Sequence, residues 1–167
     1  MLLLTGRAQV YNVKNEKYRS YSRILFDNGS KKSYITNALA KKLNATIVAK
    51  LPSAIGTLGA EERKEALLDR VKVKVRSIDN CITDEEFIEF EASVIPMICL
   101  PITGQCPKAV SSQYQHLKGL YLSDYTDSTE MKIDILIGGD FYYSFFSGRY
   151  IRGEQIRDPV ALESAIG

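Results

Sequence analysis

Apolar and polar residues alternate with a period of two through much of this chain, the pattern of strands with one wet face. Val71, Val73 and Val75 alternate with Lys72, Lys74 and Arg76, and Ile88, Phe90, Ala92 and Val94 alternate with Glu89, Glu91 and Ser93. Leu2 to Tyr11 is apolar and β-prone, and Tyr21 to Phe26 is a second short strand that runs directly into the turn signal Asp27-Asn28-Gly29-Ser30. Ile133-Asp134-Ile135-Leu136-Ile137 is mostly apolar, so it predicts a buried strand, ended by Gly138-Gly139.

Helical periodicity is sparse. Ile35, Leu39 and Leu43 recur every four residues, with Ser33 or Thr36 available as an N-cap, which predicts a short amphipathic helix over 36–43. Residues 60–69 are rich in helix formers but lie between Gly59 and a clear strand, so they fit either a helix or the tip of a charged hairpin. Residues 101–130 hold Pro101, Gly104, Pro107 and Gly119 among many Ser and Thr, and predict a mostly irregular loop insertion. The expected fold class is all-β, a small closed barrel or sandwich with one or two short helices, in a single domain over 1–167 with 152–167 as a C-terminal extension.

Composition changes this picture little. The 167 residues are 45% hydrophobic and 25% charged, an ordinary globular balance. A net charge of +2, from 22 basic and 20 acidic residues, gives no basic footprint for nucleic acid. Lys31-Lys32 and Lys41-Lys42 read as the solvated side of the helix and its approach. No apolar run approaches the roughly 20 residues of a membrane span, and Met1-Leu2-Leu3-Leu4 lacks the basic flank of a signal peptide. Cys81, Cys99 and Cys106 are an odd set without metal-ligand spacing, and His116 is the one histidine, so no metal and no cofactor is expected. An intracellular, cytoplasmic protein with reduced thiols is the expectation.

The chemistry lies where a strand delivers a carboxylate into a glycine turn, at Ile24-Leu25-Phe26-Asp27-Asn28-Gly29-Ser30. A carboxylate ending an apolar strand is costly unless something satisfies or uses it, and Gly29 permits a sharp path with backbone N–H groups near it. Taken alone, Asp-Asn-Gly is also an ordinary β-turn sequence. The later run Ile135-Leu136-Ile137-Gly138 is its companion: strand, Asp-x-Gly-Ser, short helix, hairpins, then apolar-apolar-Gly.

That order resembles the retropepsin-like aspartic proteases, and more closely the peptidase region of Pao/BEL-type retrotransposon polyproteins. The blocks that carry the resemblance are Leu2 to Thr5, Leu25 to Ser30, Ser33 to Thr36, Leu117 to Asp124, Ile133 to Tyr143 and Pro159 to Gly167, in that order over nearly the whole chain. The last block ends where such polyproteins continue, so an excised or processed piece is expected. The resemblance implies a retropepsin-like closed lobe in which Asp27 is the catalytic residue and Asn28, Gly29 and Ser30 form the active-site loop. Ile137 and Gly138 form the supporting loop in that reading. It implies hydrolysis of an extended peptide or polyprotein by water held between two carboxylates. Asn28 departs from the Ser or Thr of the family, whose hydroxyl helps lock the two active-site loops together. An inactive module kept for dimerisation or peptide binding is therefore the alternative.

Of the eleven glycines only Gly29 has an Asp two positions before it, so a second carboxylate must come from another copy, and a homodimer is expected. Ile55, Gly56, Thr57, Leu58 and Gly59 are the candidate flap over the substrate, although a surface loop leading into a helix fits them as well. Asp134, Asp140 and His116 read as structural, Asp124 and Asp127 as loop residues without a calcium-loop pattern. The aromatic run Tyr142, Tyr143, Phe145 and Phe146 reads as a strand facing core or a dimer surface.

Overall fold

The computed structural model describes residues 3–55, 64–79, 87–103, 107–124 and 130–167. Its strands in chain order are β1 (Thr5–Asn12), β2 (Arg19–Phe26), β3 (Tyr34–Thr36), β4 (Ile47–Ile55), β5 (Lys64–Arg76), β6 (Ile88–Ile95), β7 (Ile102–Thr103), β8 (Glu130–Met131), β9 (Ile135–Ile137), β10 (Phe146–Arg152) and β11 (Val160–Ser164). Three short helices, α1 (Asn37–Lys42), α2 (Pro107–Gln113) and α3 (Tyr142–Phe145), and a 3-10 turn at Gln115–Leu117 complete the described elements.

One sheet in the order β1-β2-β9-β3-β6-β5-β4 contains the core, and β5 also pairs with β1, which closes six strands into a barrel with β4 outside the ring. The length of β5 makes both pairings possible. Over Lys64 to Val71 one edge of β5 meets β4, and over Val73 to Arg76 the chain has moved past β4 and meets β1. The alternation of β5 sets which face looks inward: Val71, Val73 and Val75 are buried with Phe90 and Ala92 of β6. Lys72 and Lys74 face out, where Lys72 pairs with Glu89 at 2.6 Å and Lys74 with Glu16 at 2.6 Å. The mostly β, barrel-closed architecture with few short helices agrees with the expected class.

Helix α1 closes one end of the barrel. Its cap is Thr36, whose Oγ1 accepts from the Leu39 N–H at 3.3 Å, and Leu39 and Leu43 are buried as the four-residue spacing predicts. Asn44 ends it in the left-handed region (φ 46°), and the Asn12 amide donates to the carbonyls of Leu43 and Asn44 at 3.1 and 2.6 Å, satisfying acceptors a helix end leaves open.

One open alternative is resolved and two expectations change. Residues 64–69 belong to β5, so this part of the 60–69 segment is hairpin stem and not helix. The described part of 101–130 is more ordered than its composition suggests: α2, the 3-10 turn and the small β7–β8 sheet all lie in it. The aromatic run is also not one strand. Tyr142–Phe145 form a helical turn, which buries Phe145 and turns Tyr143 out to solvent, and β10 begins only at Phe146.

Candidate functional site

Asp27 stands at the mouth of the barrel because three short strands meet there in an unusual order. β9 lies between β2 and β3, parallel to β2 (Phe26 opposite Ile137) and antiparallel to β3 (Tyr34 opposite Leu136). The chain therefore leaves β2 through Asp27, turns, returns along β3, and much later threads β9 into the gap. Adjacent parallel strands need a long crossover, and here residues 27–134 supply it.

The turn is held by its backbone. The Asp27 N–H donates to the Ile137 carbonyl at 3.0 Å, the Ser30 N–H to the Asp27 carbonyl at 3.1 Å, and the Gly139 N–H to the Ser30 carbonyl at 2.7 Å. The Gly29 N–H donates to the Asp27 carboxylate (Oδ1) at 3.0 Å, which fixes the side chain in the turn. Ser30 Oγ donates to the Lys32 carbonyl at 2.9 Å. Asp27, Asn28 and Gly29 are exposed in the single chain, and the Asn28 side chain makes no hydrogen bond among the described residues.

Gly138 is the tightest point. A Cβ there lies 2.4 Å from the Lys32 carbonyl oxygen and 2.8 Å from that of Ser30, so the two loops touch backbone to backbone and only glycine fits. Ser33, fully buried, ties the same junction. Its Oγ accepts from the Gly138 N–H at 3.0 Å, and its own hydroxyl and N–H donate to the Asp140 carboxylate at 2.6 and 3.1 Å. Arg70, bonded to Glu91 at 2.7 Å, stands 3.9 Å from Asp140. Ser33 is thus not the helix cap that the sequence allowed. The structure brings together Asp27, Asn28, Gly29, Ser30, Ile137 and Gly138, with Ser33 and Asp140 as supports that periodicity could not find.

Comparison with known proteins adds no relative. No family model, curated protein or solved structure matches this chain.

Of the candidate flap, Ile55 ends β4, opposite Lys64 at the start of β5, so the segment joins the two arms of a hairpin; Gly56, Thr57, Leu58 and Gly59 lie outside the described residues. Asp134 pairs with Lys132 at 3.4 Å. His116 Nε2 lies 2.8 Å from the Pro159 carbonyl and joins the 3-10 turn to the chain before β11. Among the described residues no cluster of three or more His, Cys, Asp or Glu could hold a metal, and no helix is long and apolar enough to cross a membrane.

Asp124 has a role that its polar surroundings in sequence hid. It is buried, accepts from Arg23 Nε at 2.9 and 3.0 Å and from the Thr5 hydroxyl, and so pins the segment after the 3-10 turn to β1 and β2. Beside it opens a groove of about 1060 Å³, between Leu3–Thr5, α2 and the β10–β11 hairpin. Phe26 forms part of its wall, whereas Asp27 does not line it.

Proposed function

We propose that this chain is a retropepsin-like aspartic endopeptidase that acts as a homodimer on an extended peptide, in the manner of a retrotransposon-type polyprotein protease. The observation that carries the reading is the loop itself: Asp27 leaves β2 with its carboxylate held by the Gly29 N–H, while β9 threads between β2 and β3 and fixes the Asp27 N–H. An ordinary β-turn needs no such inserted strand and no Gly138 pressed against the carbonyls of Ser30 and Lys32.

The chemistry follows from one carboxylate per chain. Two Asp27 side chains facing each other across a two-fold axis share a proton, since like charges that close do not both ionise. The ionised one takes a proton from water as that water attacks the scissile carbonyl. The protonated one donates to the carbonyl oxygen, and the proton taken from water passes to the amide nitrogen as the C–N bond breaks. The pair titrates as a unit. The exposure of Asp27 and Asn28 in the single chain leaves both free to meet a partner. The substrate strand is bound by main-chain hydrogen bonds with side chains in alternating pockets.

Asn28 supports a second reading, an inactive module that dimerises or binds peptide, because an Asn amide is longer and planar where the family has a hydroxyl. The two separate in one experiment: incubation with a longer polyprotein substrate at mildly acidic and neutral pH, with Asp27→Asn and a pepstatin-type inhibitor as controls. Cleavage that falls at least about 10²–10⁴-fold in Asp27→Asn is the expected result, and cleavage that persists in that variant sinks the assignment. A dimer that cleaves nothing, but gains activity as Asn28→Ser, identifies Asn28 as what silences the site.

A further inference from the structure

The turn that holds Asp27 runs on into two cations with nothing to neutralise them. Lys31 and Lys32 follow Ser30 directly, Lys31 exposed and Lys32 half-buried, and neither lies on α1, which begins only at Asn37. Neither side chain makes an ion pair or a hydrogen bond among the described residues. The carboxylates of the adjoining junction are engaged elsewhere. Asp140 accepts from Ser33 and stands 3.9 Å from Arg70, and Glu91 is bonded to Arg70 at 2.7 Å. The backbone of the two lysines is fixed, since the Lys32 carbonyl accepts from the Ser30 hydroxyl at 2.9 Å and lies against Gly138. Their own N–H groups donate to no acceptor among the described residues, which leaves main-chain donors open beside Asp27. The bond from the Ser30 N–H to the Asp27 carbonyl makes 27–30 a β-turn, and such a turn keeps its ends within about 7 Å. Both lysines therefore stand within about four strand residues of Asp27, at about 3.3 Å per residue.

We propose that Lys31 and Lys32 select peptides that carry Asp or Glu close to the scissile bond. The inference rests on reading Asp27 as half of a carboxylate pair. Under that reading the two-fold axis repeats the lysines on both sides of the bond, so the preference extends to both flanks. Two Asp27 side chains that share a proton carry one negative charge, and the two loops set four lysines around it. The cleft is then cationic although the whole chain carries only +2. Main-chain hydrogen bonds fix where a substrate strand lies but do not read its side chains. A substrate carboxylate gains a charge-assisted hydrogen bond from a lysine, whereas a basic side chain in the same place meets like charge. The lysines thus supply a discrimination that the backbone lacks.

A library of random decapeptides tests this with the full chain. Mass spectrometry reads the residues around each bond cut by the wild type, and the peptides retained by immobilised Asp27→Asn. Asp and Glu are expected to be enriched over Asn and Gln by about two- to fivefold within four positions of the cut, the scale of an exposed ion pair. The enrichment is expected to vanish at about 1 M salt, where the screening length is about 3 Å. In the double variant Lys31→Glu with Lys32→Glu it is expected to invert toward Lys and Arg. Each ratio is internal to one sample, so a variant of low overall activity still reports its preference, and the wild type's salt dependence decides if the variant does not fold. Enrichment that survives 1 M salt, or stays unchanged in a folded double variant, overturns the role of these lysines. Cleavage without acidic enrichment overturns the preference and leaves the protease standing. Retention of acidic peptides without any cleavage supports the preference and removes the protease, and neither cleavage nor acidic retention removes both.

Discussion

At the scale of single residues, the site depends on positions where the chain touches itself. Gly138 is the extreme case, since a methyl group there collides with two backbone carbonyls that cannot rotate away. Gly138→Ala is expected to cost about 3 kcal/mol, read as a lowered urea midpoint with unchanged slope; a loss under about 0.5 kcal/mol, the range of a neutral surface change, counts against the close approach. Ser33 acts with it: a buried hydroxyl that accepts from the Gly138 N–H and donates to Asp140, two residues further along the same segment. Little of this was legible in the sequence. Asp27 and its glycine are written in consecutive letters, and so is the apolar run before Gly138. The contact between the two segments is not, because hydrogen bonds between residues a hundred positions apart leave no periodic trace. Ser33 and Thr36 were both open as the cap because Ser and Thr are both favoured there, and Thr36, directly before α1, took that place.

At the scale of elements, alternation was a sound guide and composition a poor one. The valines of β5 and the four-residue spacing of α1 fell where packing demanded. The region 101–130 was misread because Pro, Gly and Ser report turns but not the short helices between them; Pro107 opens α2, where a helix has no use for an N–H. The aromatic run was misread for the opposite reason. Its four rings suit either period, and the helical turn is set by the Phe141 and Tyr142 N–H groups, both of which donate to the Gly138 carbonyl at 3.1 and 2.8 Å. The Arg23–Asp124 pair couples these elements. Arg23 is 13% exposed and Asp124 5%, so removing the carboxylate leaves a buried cation unpaired. Asp124→Ala is expected to destabilise the fold by about 3–5 kcal/mol. The matching double variant, Arg23→Met with Asp124→Ala, recovers part of that loss, and equilibrium denaturation measures both. Equal losses in the two variants contradict the coupling.

At the scale of the whole molecule, the barrel presents a site that one chain cannot complete under the proposed mechanism. The rate of cleavage per chain is then expected to fall in proportion to concentration once dilution passes the dissociation constant, and to be constant above it. A dilution series with a fluorogenic peptide measures this. A rate per chain that holds constant into the monomeric range contradicts the shared carboxylate pair.

The insertion of β9 between β2 and β3 also dictates an order of events during synthesis. Residues 24–26 and 34–36 leave the ribosome early, but the strand that joins them arrives only with residues 135–137. Until then the gap stays open, the Asp27 N–H lacks its acceptor, and closing so long a loop makes this pairing a late and slow step. A nascent chain therefore carries its aspartate without the loop that holds it in place until residues 135–137 have been made.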